Sequence, residues 1–233
     1  MSKAQIRLAG SLLALLAGIV LAGAARAHGI DERDADFVAG NSGPQIIPFL
    51  YLGAKHMVTG YDHLLFIFGV IFFLYRLSHV AIYVTMFSIG HSITLLAGVL
   101  GGLHISPYLI DAIIGLSVVY KGFDNLNGFK TLFGIEFNQK LAVLIFGLFH
   151  GFGLATKLQE LNPSQDGLLT NMISFNVGVE LGQLLALSLM LGIIVLWRRS
   201  PSFTRYAVLA NAAIMTAGLV LIGYQLTGFQ LSV

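Results

Sequence analysis

The chain carries imidazole and carboxylate side chains inside stretches that are otherwise apolar. The clearest stretch is HMVTGYDHLLF, residues 56–66, and further polar groups stand in FSIGHSITL, FGLFHGFGLA and FNVGVELGQ. The candidate metal ligands are His56, Asp62, His63, His91, His150 and Glu180, with Asp111, Asn176 and Gln183 as weaker candidates. Imidazole suits divalent nickel, copper, zinc and iron, whereas Cu(I) prefers thiolate or thioether ligands, and the chain has no cysteine. The residue types therefore predict a site for a divalent cation of the nickel or cobalt type.

Ionisable groups in membrane segments carry a cost that restricts where they occur. A charged residue at a helix centre costs about 2.5–3.5 kcal/mol on insertion scales, so such residues usually line a cavity or a route for an ion. Taken singly, a buried histidine can instead bond two helices together, and a buried glutamate can be a neutral packing residue. Three central histidines and two carboxylates on four segments favour the functional interpretation.

Composition places the chain in a membrane. Of its 233 residues, 56% are hydrophobic and only 10% are charged, against roughly 25% charged in soluble domains. The net charge of +2 gives no reason to expect a nucleic-acid partner, and the lack of cysteine excludes disulfides and thiolate sites. We therefore expect the lipid bilayer itself to be the main surroundings of the protein.

The first 27 residues have the pattern of a signal peptide. Lys3 and Arg7 precede the apolar run 8–24, and ARA ends at Ala27. We predict cleavage after Ala27, followed by a short periplasmic segment, 28–45; a retained first helix is the alternative. Cleavage would give His28 a free α-amine beside its imidazole, which makes it a further candidate metal ligand.

The remaining apolar runs predict an all-α polytopic membrane bundle with six transmembrane helices in a single domain, 46–233. The predicted spans are 46–75, 79–101, 106–124, 138–160, 169–197 and 204–226. In the first span, His56 and His63 are seven residues apart and share a helix face, and Gly60 is a point where the helix could bend. The glycine pairs Gly147/Gly151 and Gly178/Gly182 predict close helix contacts.

Basic residues predict the orientation, because cytoplasmic loops are enriched in lysine and arginine. One set of span ends carries far more of them than the other, which has Arg33 and Lys157. The richer set is Arg76, Lys121, Lys130, Lys140, Arg198, Arg199 and Arg205. We therefore expect a bacterial inner-membrane protein with both mature termini in the periplasm.

The motifs quoted above, together with IDAIIGLSVVY at 110–120, resemble in order those of the HupE/UreJ family of bacterial membrane proteins. The resemblance implies a secondary permease for nickel or cobalt, with the metal as cargo, no permanently bound cofactor and no enzymatic activity. It implies a site formed by His56, Asp62, His63, His91, His150 and Glu180. Compatible protein partners are a second copy of the chain or metalloenzyme-maturation proteins. Two alternatives stay open: a metal-binding accessory or assembly protein, and an intramembrane zinc-dependent hydrolase.

Overall fold

A computed structural model describes residues 32–103, 105–161 and 163–232, and all regular structure in them is helical. The helices are α1 (Glu32–Gly40), α2 (Ile46–Thr59), α3 (Tyr61–Ile71), α4 (Leu77–Gly101), α5 (Pro107–Asn125), α6 (Gly128–Phe133), α7 (Gln139–Glu160), α8 (Leu168–Arg198) and α9 (Pro201–Ser232). The predicted all-α class is confirmed. The predicted signal peptide 1–27, its cleavage site and His28 lie outside the described residues, and α1 is a helix that the sequence did not predict.

The first predicted span consists of two helices. α2 ends at Thr59 and α3 begins at Tyr61, with Gly60 between them at φ −74° and ψ 96°. The Gly60 N–H still donates to the His56 carbonyl at 2.8 Å, so the chain changes direction without leaving the last turn of α2 open. These helices have 14 and 11 residues, whereas crossing a bilayer takes about 20. Neither helix therefore spans a membrane alone.

Four helices are long and apolar enough to cross a membrane: α4, α7, α8 and α9, with 25, 22, 31 and 32 residues. α5 has 19 residues but contains Asp111, Lys121 and Asp124, and this charge sets it apart from those four. Lys121 is buried and its ammonium lies 2.7 Å from the carboxylate of Asp124, which is one turn nearer the end of α5. The chain is thus a helical membrane protein, and the count of six spans stays a prediction.

The helices pack as three close pairs, α2 with α8, α4 with α7, and α5 with α9. Glycine makes the first two contacts possible. A Cβ added to Gly151 of α7 would lie 2.0 Å from the His91 carbonyl oxygen of α4, and one added to Gly178 of α8 would lie 2.0 Å from the Leu50 carbonyl oxygen of α2. The predicted close approach at both glycine pairs is confirmed. Only a residue without a side chain fits there.

The short helix α3 lies among these pairs and contacts helices from all three. Its C-terminal end is held by Arg198 of α8, whose guanidinium donates to the carbonyls of Ile71 at 2.5 Å, Phe72 at 2.7 Å and Leu74 at 2.9 Å. Ile71 ends α3 and its carbonyl also accepts from the Leu74 N–H at 3.0 Å, while Phe72 and Leu74 follow the helix, where no next turn supplies donors. A cationic donor satisfies these carbonyls and also complements the negative end of the helix dipole.

Candidate functional site

Four histidine side chains lie close together at the junction between α2 and α3. His56 comes from the last turn of α2, His63 from the first turn of α3, His91 from α4 and His150 from α7. The centre of the His63 ring lies 4.7 Å from that of His150, 5.2 Å from that of His56 and 5.8 Å from that of His91. We call these four side chains the imidazole cluster. The break at Gly60 makes it possible, because it turns α3 so that His63 becomes the centre of the group.

Two members of the cluster have a fixed orientation. The Nδ1–H of His63 donates to the Asp62 carboxylate at 2.8 Å, and the Nδ1–H of His150 donates to the Phe146 carbonyl at 2.8 Å. Because these oxygens accept hydrogen bonds, Nδ1 carries the hydrogen and Nε2 carries the lone pair. Both Nε2 atoms are buried and have no hydrogen-bond partner among the described residues. Metal-binding histidines are usually oriented in this way, by an oxygen acceptor on the second ring nitrogen.

The other two histidines add further unpaired nitrogens. Both ring nitrogens of His91 and the Nε2 atom of His56 are buried without a partner in the described part of the chain. Leaving a buried polar group unpaired costs about 1–3 kcal/mol. A group of such atoms in one place is the chemistry expected of a site that receives a cation.

The cluster is not an assembled coordination shell. Among the described residues, no three His, Asp or Glu side chains are placed so that they could hold a metal ion as they stand. The His63 and His150 rings instead pack edge to face, at 77°. Side-chain rotation would therefore be needed to direct the nitrogens at one ion, since a metal–imidazole bond is only about 2.0–2.1 Å long.

Phenylalanine rings cover one side of the cluster. Phe66, Phe87 and Phe146 each lie about one helical turn from a cluster histidine, in every case toward the bundle end that carries Arg198. The Phe87 and Phe66 ring centres lie 5.0 Å and 5.3 Å from that of His150. This apolar layer separates the imidazoles from that end of the bundle.

Glu180 lies apart from the imidazole cluster. Its carboxylate accepts a hydrogen bond from Ser88 at 2.9 Å, inside a cleft of about 650 Å³ between α4 and α8. The neighbouring amides face the same helix, since Gln183 accepts from Ser88 at 3.0 Å and Asn176 accepts from Ser92 at 3.2 Å. Asn176, Glu180 and Gln183 therefore share one face of α8, and the described contacts of that face are with serines of α4 and not with the imidazoles.

Ser88, His91 and Thr94 of α4, although three residues apart, do not share one face toward the site. Ser88 faces α8, His91 faces the cluster, and Thr94 donates to the Leu148 carbonyl of α7 at 2.6 Å. Residues three apart on a helix are rotated by about 60° from being superimposed, because a turn takes 3.6 residues. Over two such steps the side chains diverge enough to meet three different neighbours.

Asp111 is held in a buried ion pair that the sequence did not predict. The Lys157 ammonium lies 2.8 Å from its carboxylate, and the Gln225 side-chain amide donates to the same oxygen at 3.3 Å. Lys157 lies in the last turn of α7, near the span end where the sequence placed it, but the sequence did not predict that its charge is paired inside the bundle. The available signal was its spacing from His150, since residues seven apart on a helix share a face.

When the chain is compared with known proteins, it matches one family. The family model described as HupE / UreJ protein matches residues 32–233, which is nearly the whole chain after its first 31 residues. No curated protein and no solved structure matched the chain.

Proposed function

Because this chain belongs to the HupE/UreJ family, we propose that it is a secondary permease for a divalent transition-metal cation, most simply Ni²⁺ or Co²⁺. One observation carries the proposal. His63 and His150 lie side by side, each with Nδ1 held by an oxygen acceptor and with Nε2 buried and unpaired. Neutral imidazole nitrogens oriented in this way are suitable ligands for those metals.

We assign roles within the site as follows. His63, His91 and His150 are the metal ligands, and His56 is the ligand on the neighbouring half-helix. Asp62 is a positioning residue for His63 and also supplies negative charge near the cation. The assignment leaves out Glu180, Asp111, Asn176 and Gln183, whose described contacts lie elsewhere. This set is narrower than the one that the sequence suggested.

The broken first segment supports transport over permanent binding. Transporters commonly place their ion sites where a helix is interrupted in the membrane, because the exposed helix ends offer polar groups there. Here α2 and α3 are interrupted at Gly60, and the imidazole cluster forms at that point. An incomplete coordination shell also fits a cargo that has to leave. The sequence contains no Walker motif, so we assign no ATP hydrolysis to this chain.

We propose six membrane crossings, with α2 and α3 together forming the first, in the bacterial inner membrane. The ends of α3 and α8 meet at Arg198, and the opposite ends of the bundle meet where Asn171 bonds the backbones of Gly43 and Gln45. Lys121 and Lys157 are paired with Asp124 and Asp111, and the Arg198 end has the larger basic set with or without them. That end is therefore assigned to the cytoplasm.

Uptake into proteoliposomes tests the proposal. Purified protein is reconstituted, and influx of Ni²⁺, Co²⁺, Zn²⁺ and Cu²⁺ is compared with that in protein-free vesicles. We expect His63→Ala and His91→Ala to abolish influx, while the control His79→Ala, at an exposed position, leaves it unchanged. Size-exclusion profiles establish that each variant is folded. Normal influx in both cluster variants would contradict the site.

Two other outcomes would select the alternative functions. Metal binding that depends on His63 but gives no influx would indicate an accessory protein that holds metal without moving it. Bound zinc with turnover of a lipid or peptide would indicate a hydrolase.

Equilibrium Ni²⁺ binding should also weaken as the pH falls, because protons compete with the metal for the imidazole nitrogens. Binding that does not change with pH would argue against histidine ligation.

A further inference from the structure

We propose that Lys157 is a built-in cation that competes with the arriving metal ion for the carboxylates beside the imidazole cluster, and thereby keeps binding weak enough for release. The inference rests on the proposed function. It assigns a role to a buried charge that the permease mechanism does not otherwise use.

The first observation is that the Lys157 ammonium is inside the bundle. Its side chain is 18% exposed, that of Asp111 is 5% exposed, and their charged atoms are 2.8 Å apart. Burying an ion pair gives little net stability, because the cost of removing both charges from water offsets their attraction. A pair of apolar residues would join α5 to α7 at least as well. The presence of the charges therefore invites a functional explanation.

The second observation is the position of Lys157 relative to the cluster. It lies two turns from His150 on the same face of α7, and Gly153 lies between them. Ile110, Ile114 and Asp111 of α5 pack in front of that glycine. A Cβ there would lie 3.0 Å from Ile114, 3.1 Å from Ile110 and 3.4 Å from the Asp111 Oδ1 atom. Lys157 also interacts electrostatically with Asp62, His56 and His150. Its positive charge therefore acts on the carboxylates of Asp62 and Asp111 and on the imidazoles.

The third observation is the balance of charge. Lys157 is paired with Asp111 at 2.8 Å and also interacts with the negative charges of Asp62, beside His63, and of Glu160, at the end of α7. Without the lysine, two carboxylates and several imidazoles would hold a divalent ion strongly in surroundings of low dielectric. With it, the ion meets a repelling positive charge, which favours release.

The test compares the single variant Asp111→Asn with the double variant that also carries Lys157→Met. Asp111→Asn leaves Lys157 without its carboxylate, so we expect Ni²⁺ affinity, measured by calorimetry on purified protein, to fall about tenfold. Adding Lys157→Met to Asp111→Asn removes the repelling charge, so affinity should rise at least about tenfold above that of the single variant. In proteoliposomes the double variant should saturate at lower Ni²⁺ concentration and reach a lower maximal rate than the single variant, because release slows.

The controls separate charge from folding. Lys140→Met removes an exposed lysine at the other end of α7 and should not change affinity. Lys157→Arg in the natural background keeps the positive charge and should shift affinity less than Asp111→Asn does. A purely structural ion pair would change unfolding temperatures in these variants and leave the affinity of the folded protein alone.

The results can overturn the inference in two distinguishable ways. If Asp111→Asn and the double variant bind Ni²⁺ within twofold of each other, Lys157 has only a structural role and the proposed permease function stands. If the natural protein binds no divalent cation in a manner that depends on His63, the proposed function fails, and the role of Lys157 fails with it.

Discussion

Gly151→Ala should separate α7 from α4 and destabilise the protein. The added Cβ would lie 2.0 Å from the His91 carbonyl oxygen and 2.5 Å from the Thr94 hydroxyl. Ordinary contact begins near 3.4 Å, so the backbones would have to part by roughly the 1.4 Å difference, since a close-packed interior has no space to absorb it. The carbonyl is backbone and cannot rotate away. We expect overpacking of this kind to cost about 1–3 kcal/mol.

A matched control isolates the contact. Gly192 of α8 is also in a helix interior, but a Cβ added there would meet nothing within 4 Å. Both substitutions gain the same intrinsic helix preference of alanine over glycine, about 0.8–1.0 kcal/mol in water. The difference between Gly151→Ala and Gly192→Ala therefore measures the helix contact alone.

Reversible unfolding in mixed micelles, followed by circular dichroism, gives the free energy of unfolding for each variant. Gly151→Ala should be less stable than Gly192→Ala by about 1–3 kcal/mol. It should also bind Ni²⁺ more weakly, because His91 and His150 lie on the two helices that move apart. Equal stability of the two variants would refute the close α4–α7 contact and with it the geometry of the site.

Two further predictions concern groups that position the site. Asp62→Asn weakens the acceptor that orients His63, so Ni²⁺ affinity by calorimetry should fall about 10- to 100-fold, whereas the exposed Asp166→Asn should have no effect. Arg198→Gln removes a cationic donor from three carbonyls at the end of α3 and should lower the free energy of unfolding by about 1–3 kcal/mol. The neighbouring, exposed Arg199→Gln should leave it unchanged; equal effects of the two arginine variants would contradict this account.

The sequence was sufficient for features that depend on local chemistry. A run such as residues 168–198 has to be a helix in a membrane, because its backbone needs internal hydrogen bonds there. Glycines four apart indicate close helix contacts, as found at Gly147/Gly151 and Gly178/Gly182. The sequence also indicated Gly60 as the bend that brings His56 and His63 together; their spacing alone would leave them about 10 Å apart along a continuous helix.

Features that depend on which helices are neighbours could not be predicted. The position of Glu180 follows from α8 pairing with α2 while leaving a cleft against α4, and spacing along α8 does not contain that information. The same is true of Lys157 and Asp111, which come from different helices and compensate each other's charge only once α5 and α7 are adjacent. A hydropathy profile treats both residues as interruptions, whereas in the bundle they form a pair.

The imidazole cluster is held by two different kinds of contact. His91 and His150 belong to α4 and α7, whose backbones are too close to slide without breaking the contacts at Gly147 and Gly151. His63 stands on the separate short helix α3, which packs through buried apolar side chains such as Phe66 and Val70 and is hydrogen-bonded at its end. Under the proposed function, backbone contact therefore fixes one pair of ligands and side-chain packing fixes the third. The two parts of the site could then be altered independently, by substitution at the glycines of α7 or at the packing residues of α3.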